Sequence, residues 1–173
     1  MKKQVNVWEY AGHIMEHMGK GILLTTKADG KANTMTIGWG TVGIQWGKPI
    51  FIAFVRESRF TKELLEKTGE FTVNVPMGQV DKNILAVCGT KSGRDMDKFA
   101  QLGLTTEDGE TVDVPAIKEL PLTLECKVIY KQDQNPKAIA PEYDSRYYAK
   151  GTANEGDYHT AYYGEITDAY IVE

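Results

Sequence analysis

The sequence predicts a mostly β, barrel-like domain with short helices set between its strands, and three observations carry that prediction. Two strand-forming runs meet at an Asp-Gly turn, the almost wholly apolar run PIFIAFV follows, and three further partly alternating segments occupy the rest of the chain. Nothing in the 173 residues marks a linker or an internal repeat, so residues 1–173 read as a single domain.

Taken in order, ILLTTK (Ile22 to Lys27) and KANTMTIGWG (Lys31 to Gly40) form the arms of a hairpin around Ala28-Asp29-Gly30. Gly38, Gly40, Gly43 and Gly47 then interrupt a strand-forming stretch that holds Trp39 and Trp46; glycine inside a strand marks a bend, a bulge or a close approach to the backbone. Pro49 to Val55 is short enough to be a strand covered on both faces. Ser58 stands where it can cap a helix over RFTKELLEKTG, with Leu64 and Leu65 facing inward and Gly69 as the stop. Phe71 to Val75 is the next strand. QVDKNILAVCG is a second helix ending at Gly89, and Asp95 can cap a third over MDKFAQLG, stopped by Gly103. Leu122 to Tyr130 and His159 to Glu173 are the last strands, with a long connection from Lys131 to Gly156 that holds Pro136 and Pro141.

Composition excludes several function classes. A net charge of −4 and a pI near 5.5 leave no basic footprint for DNA or RNA. No apolar run approaches a membrane-spanning length, and MKKQVNVWEYAGHIMEHMGKG lacks the uninterrupted apolar core of a signal peptide, so a cytoplasmic protein is expected. Cys88 and Cys126 form no CxxC pair and read as free thiols of a reducing compartment.

Two segments concentrate anion-binding groups. CGTKSGRDMDKF (Cys88 to Phe99) gathers glycines, hydroxyls and cations in an acidic chain, yet it is no P-loop: Gly89 and Gly93 are too close together and Arg94 stands where lysine belongs. RESRFTKELLEK places Ser58, Arg59, Thr61 and Lys62 at a helix start, where unpaired backbone N–H groups and the positive end of the helix dipole suit a phosphate. Each segment is equally consistent with an ordinary capped helix or a solvated loop. Two together imply one anionic cofactor more readily than two separate sites. A third element, Asn33, Thr34, Met35 and Thr36 beside Trp39, can offer amides and hydroxyls along the edge of a flat heteroaromatic, or form a solvent-facing row. The stretch His13-Ile14-Met15-Glu16-His17 formally matches an inverted zinc-protease motif, but it stands without a third ligand or a protease scaffold, so no metal is expected.

The order NTMTIGW, SRFT after an apolar strand, CGTKSGRDMDKF, then DYHTAYYGEI resembles the flavin reductase-like proteins of the FMN-binding split-barrel class, flavoredoxin-type members in particular, from about Gly21 to Ile166. That resemblance implies a Greek-key split β-barrel with short helices, a homodimer, and FMN held near the subunit interface. It implies that Ser58, Arg59 and Thr61 form a phosphate-binding turn, that Asn33, Thr34, Met35 and Thr36 run along the isoalloxazine, and that Cys88, Ser92, Gly93, Arg94 and Lys98 form a second cofactor loop. His159 is then the candidate catalytic residue, a substrate-side group that contacts a nicotinamide or a second flavin and, titrating near ~6.5, manages protons on reduced flavin. Two activities fit equally: an NAD(P)H-dependent flavin or electron-acceptor reductase working by hydride transfer to flavin N5, or an FMN-carrying electron-transfer protein reduced by a redox partner protein. The residues do not separate NADH from NADPH.

Overall fold

The structure is a computed structural model that describes residues Met1–Glu173. Its elements run β1 (Lys2–Gln4), α1 (Val7–Met18), β2 (Ile22–Ala28), β3 (Lys31–Ile37), β4 (Gly40–Gln45), β5 (Lys48–Arg56), α2 (Phe60–Thr68) and β6 (Glu70–Val75). They continue with α3 (Lys82–Thr90), α4 (Lys98–Leu102), β7 (Thr106–Glu107), β8 (Ala116–Ile117), β9 (Leu122–Asp133), a 3-10 turn at Pro136–Ala138, α5 (Pro141–Tyr147) and β10 (His159–Val172).

All strand pairs are antiparallel. The main sheet follows the order β3-β2-β6-β9-β10-β5-β4, with β1 added to the far end of β10, so β3 and β4, each paired on one side only, end the strand order of a split barrel. Its two tight hairpins share one device. Asp29–Gly30 and Trp46–Gly47 each take positive φ at both central positions, the geometry whose twist matches paired strands. Alternate residues of β2, β5, β6, β9 and β10 point inward, where Phe51, Phe71, Tyr162 and the aliphatics around them form the main core.

The outer face of β6 and β9 is covered by residues 104–120, a strap pinned by a buried carboxylate. Glu125 accepts from the backbone N–H of Glu110 (2.7 Å) and Thr111 (2.6 Å) and from the hydroxyls of Thr111 and Tyr170 (2.7 Å each). Burial alone would raise its carboxyl, but these donors outweigh it and hold the group below the usual carboxylate range.

Several element boundaries differ from the sequence expectation. Helix α1, absent from that expectation, is capped by Asn6, whose Oδ1 accepts from Trp8 N–H (3.2 Å), and it buries Val7, Ile14 and Met18 against the barrel. Ser58 does not cap α2; the N-cap residue is Arg59, with no side-chain cap bond. Asp97, not Asp95, caps α4, and α3 runs through Gly89 to Thr90. The connection after Tyr130 holds the end of β9, the 3-10 turn and α5. His13 and His17 stack with ring centroids 4.1 Å apart, but His13 Nε2 donates to Pro76 O (2.6 Å) and His17 Nδ1 to His13 O (2.9 Å). No helix is long and apolar enough to cross a membrane.

Candidate functional site

The outer edge of β3, the start of α2 and the loop after α3 enclose two adjoining cavities that share Met35 and Arg59. One is rich in cations and hydroxyls. The other is aromatic.

The first cavity is lined by Asn33, Ser58, Thr61, Cys88, Ser92, Gly93, Arg94 and Lys98, so both anion-binding segments of the sequence open on it. Asn33 ties strand to helix, its Nδ2 donating to Thr61 Oγ1 (2.9 Å). Because α2 lacks a side-chain cap, the N–H groups of Phe60 and Thr61 have no acceptor in the chain. Gly93 closes over Asn33 so tightly that a Cβ there would lie 2.1 Å from Asn33 Oδ1 and 2.8 Å from the Phe60 ring. Only glycine permits that approach.

The cations of this half are not equivalent. Arg94 forms an ion pair with Glu63 and donates from Nη1 to Ser58 O (3.1 Å), bridging the two segments. Lys98 is buried and donates to Thr34 O (2.8 Å) and Cys88 O (3.1 Å); burial lowers its pKa. Arg59 and Lys91 make no ion pair or side-chain hydrogen bond with the rest of the chain, and Arg59 alone of the two faces both cavities. Ser58 is engaged: its N–H (2.9 Å) and hydroxyl (2.6 Å) both donate to the Asp157 carboxylate. The Cys88 thiol is pushed up to about 11 by burial, so it is neutral near pH 7.

The second cavity is lined by Met35, Thr36, Trp39, Phe54, Arg56 and His159 among others. Arg56 lies between the rings of Trp39 (5.9 Å) and Tyr148 (5.2 Å) and donates to Asp157 O (2.8 Å). Tyr147 meets Trp39 edge-on at 4.9 Å between centroids, so α5 packs against a ring that lines the cavity. His159 stands 5.0 Å from Trp39 and bonds through Nδ1 to the Tyr148 hydroxyl (2.7 Å). Burial first, then the Arg56 charge, lowers its pKa to about 4. The expectation of an imidazole titrating near ~6.5 is therefore corrected: the ring is neutral at pH 7, with a single ring N–H.

Of the residues singled out in the sequence, Thr34 lines neither cavity. Its side chain is fully buried beside Thr25 Oγ1 (3.0 Å), because alternation along β3 turns it away, and its carbonyl serves Lys98 instead. Thr36 reaches the aromatic cavity while its hydroxyl donates to Leu85 O in α3 (2.7 Å). Sequence reasoning missed Phe54, Arg56, Tyr148 and Asp157. Arg56 directly follows the apolar strand, a signal that could have placed it at the strand mouth; Tyr148 and Asp157 lie in or beside a connection without a pattern.

The fold is that of a split barrel, with an uncapped helix start and a free guanidinium joined to an aromatic slot on its open edge. The chain belongs to the flavin reductase like domain family, whose sequence model matches residues 15–173. It is 35% identical over 99 residues to an uncharacterized protein of Archaeoglobus fulgidus, covering 57% of this chain and 55% of that protein. The matched parts span 55% to 64% of the length of the curated relatives. The flavoredoxin of Methanosarcina acetivorans superposes with a TM-score of 0.65 at 28% identity, covering 88% of this chain and 68% of that one. An FMN-binding domain of a flavin reductase-like enzyme from Shewanella baltica superposes with a TM-score of 0.68 at 18% identity, covering 99% and 77%, and shares the fold.

Proposed function

We propose that this chain binds FMN with its phosphate at the start of α2 and its ring system along β3, and acts as an NAD(P)H-dependent flavin or electron-acceptor reductase. The observation that carries this reading is the free cation and free N–H groups of Arg59, Phe60 and Thr61 placed where the cation-rich cavity joins the aromatic one. The fit is chemical. A forked guanidinium and helix-start N–H groups suit a phosphate dianion, and Gly93 lets the loop close against Asn33 and Phe60 beside them, an approach any side chain would block. Bound FMN supplies a two-electron acceptor at N5. The chain's own residues bind and orient: Asn33 and Thr61 fix the strand against the helix, Met35 borders both cavities, and Trp39 and Phe54 line the aromatic one.

Likeness to a flavoredoxin favours a second reading, an FMN-carrying electron-transfer protein reduced by a redox partner protein. A homodimer belongs to both. Ile44 (70% exposed) and Trp46 (67%) on the outer hairpin, with Tyr130 beside Trp46, supply apolar surface for a second copy. Free, buried thiols fit a cytoplasmic protein.

An absorption spectrum of the purified protein, followed by anaerobic NADH and then NADPH, tests the proposal. Bound flavin that bleaches on either nucleotide supports the reductase; flavin that persists supports the carrier; a protein that takes up no FMN refutes both. Sedimentation at micromolar concentration checks the dimer, which a monomer would exclude.

A further inference from the structure

His159 is held by a relay whose proton positions follow from the donors and acceptors available. Gln134 Oε1 accepts the backbone N–H of His159 (2.9 Å), which identifies that atom as the amide oxygen, an acceptor only. The Tyr148 hydroxyl, 3.0 Å from the same oxygen, must therefore donate its single proton there. With that proton used, Tyr148 Oη can only accept at its other contact, from His159 Nδ1 at 2.7 Å. A neutral imidazole has one N–H, so Nε2 is left as a bare lone pair. That atom has no partner in the chain and is not among the fully buried unpaired atoms, while the ring lines the aromatic cavity.

We propose that Gln134 and Tyr148 are positioning residues that fix His159 as its Nδ1–H tautomer, so that the cleft offers a hydrogen-bond acceptor and takes at that point the N–H donor of a carboxamide or imide. The tautomer stands on the ligand-free chain alone, whereas the ligand it selects rests on the flavin and nicotinamide reading above. Burial and the Arg56 charge support it by keeping the ring neutral. The connection after β9 thereby gains a role, because Gln134, its first residue, and Tyr148, buried behind His159, together set what one atom of the site can recognise. An ester or acetyl group offers Nε2 only lone pairs and is turned away.

The test is a nitrogen NMR spectrum of the full chain labelled at its histidine ring nitrogens, with His159→Gln used to assign the signals. At pH 7 without ligand, His159 is expected to show a protonated Nδ1 and an unprotonated Nε2. Tyr148→Phe and Gln134→Leu, two independent variants, are expected to move the proton towards Nε2, because each removes what requires it on Nδ1. An Nε2–H ring or an imidazolium in the unmodified chain overturns the proposal.

Addition of FMN, then of nicotinamide mononucleotide, separates the two sources of the donor. A change at Nε2 with FMN identifies the flavin imide; a change only with the nucleotide identifies the carboxamide. Whichever ligand moves Nε2 is expected to bind Tyr148→Phe about tenfold more weakly, as a loss in Kd or KM and not in kcat. No change with either ligand, while absorbance reports bound flavin, overturns the ligand half. No bound flavin overturns the functional reading and the ligand half with it, and leaves the tautomer to the ligand-free spectrum.

Discussion

The two halves of the cleft are built in different ways. The cation-rich half comes from short contiguous segments, the first turn of α2 and the loop from Cys88 to Lys98, and it keeps donors in reserve at Arg59, Lys91 and two helix N–H groups. The aromatic half is assembled from residues far apart in the chain, Trp39, Phe54, Arg56 and His159, with Tyr147 packed on Trp39 and Tyr148 behind His159, and its one histidine is neutral. Cations gather at one end and aromatic rings at the other. A molecule with a phosphate tail and a flat head would be held by the first and presented by the second.

On that division, the strongest effects fall on the cation-rich half. Gly93→Val is expected to weaken FMN binding by more than about a hundredfold, since its side chain meets Asn33 and Phe60. Fluorescence titration checks this, and a loss of less than threefold would show that the loop is not a cradle. Lys98→Met leaves the carbonyls of Thr34 and Cys88 unpaired and is expected to cost about 3 kcal/mol of stability in urea unfolding. A variant as stable as the parent would make Lys98 a ligand group and not a brace.

His159 gives the comparison its pH dependence. Its folded pKa lies below the unfolded value, so the unfolded chain binds the extra proton first as pH falls. Stability is expected to be complete above about pH 6.5 and to fall by up to ~3 kcal/mol between there and pH 4, a decline that His159→Gln removes. Thermal unfolding across that window checks it; identical profiles for parent and variant would refute a neutral buried ring. Arg59→Ala is expected to weaken FMN by tenfold to a hundredfold while leaving the fold intact. An unchanged Kd would take Arg59 out of the site. The smallest effect concerns rate: between pH 5.5 and 8 turnover is expected to show no inflection that disappears in His159→Gln.

How much of this was legible in the sequence followed the distance over which each signal acts. The Asp29–Gly30 hairpin, the strand before Arg56 and the glycine-bearing loop at Cys88 to Lys98 declare themselves locally, through φ preference, apolar run length and clustered donors. Helix α1 was also legible, since Asn6 caps it and Val7, Ile14 and Met18 share one face, but the metal-like spacing of its histidines masks the pattern. The pairing of Ser58 with Asp157 was not legible, because a serine before a helix reads as its cap until the fold brings a carboxylate from 99 residues away. The same holds for Arg94. The family resemblance puts it in a second cofactor loop, and only the fold turns Glu63 towards it. The packing of the Thr34 side chain against Thr25 was not legible either, because it depends on the pairing of β2 with β3.

Lys98 carries a consequence beyond bracing. Lys98 lines the cation-rich cavity yet is almost wholly buried, its ammonium held by two backbone carbonyls, while Arg59 and Lys91 stand where solvent reaches them. Exposed charges are screened over about 8 Å at physiological ionic strength, and buried ones much less. Anion affinity at this site would then have two components: one that fades as potassium chloride is added, and a constant background set by the buried ammonium.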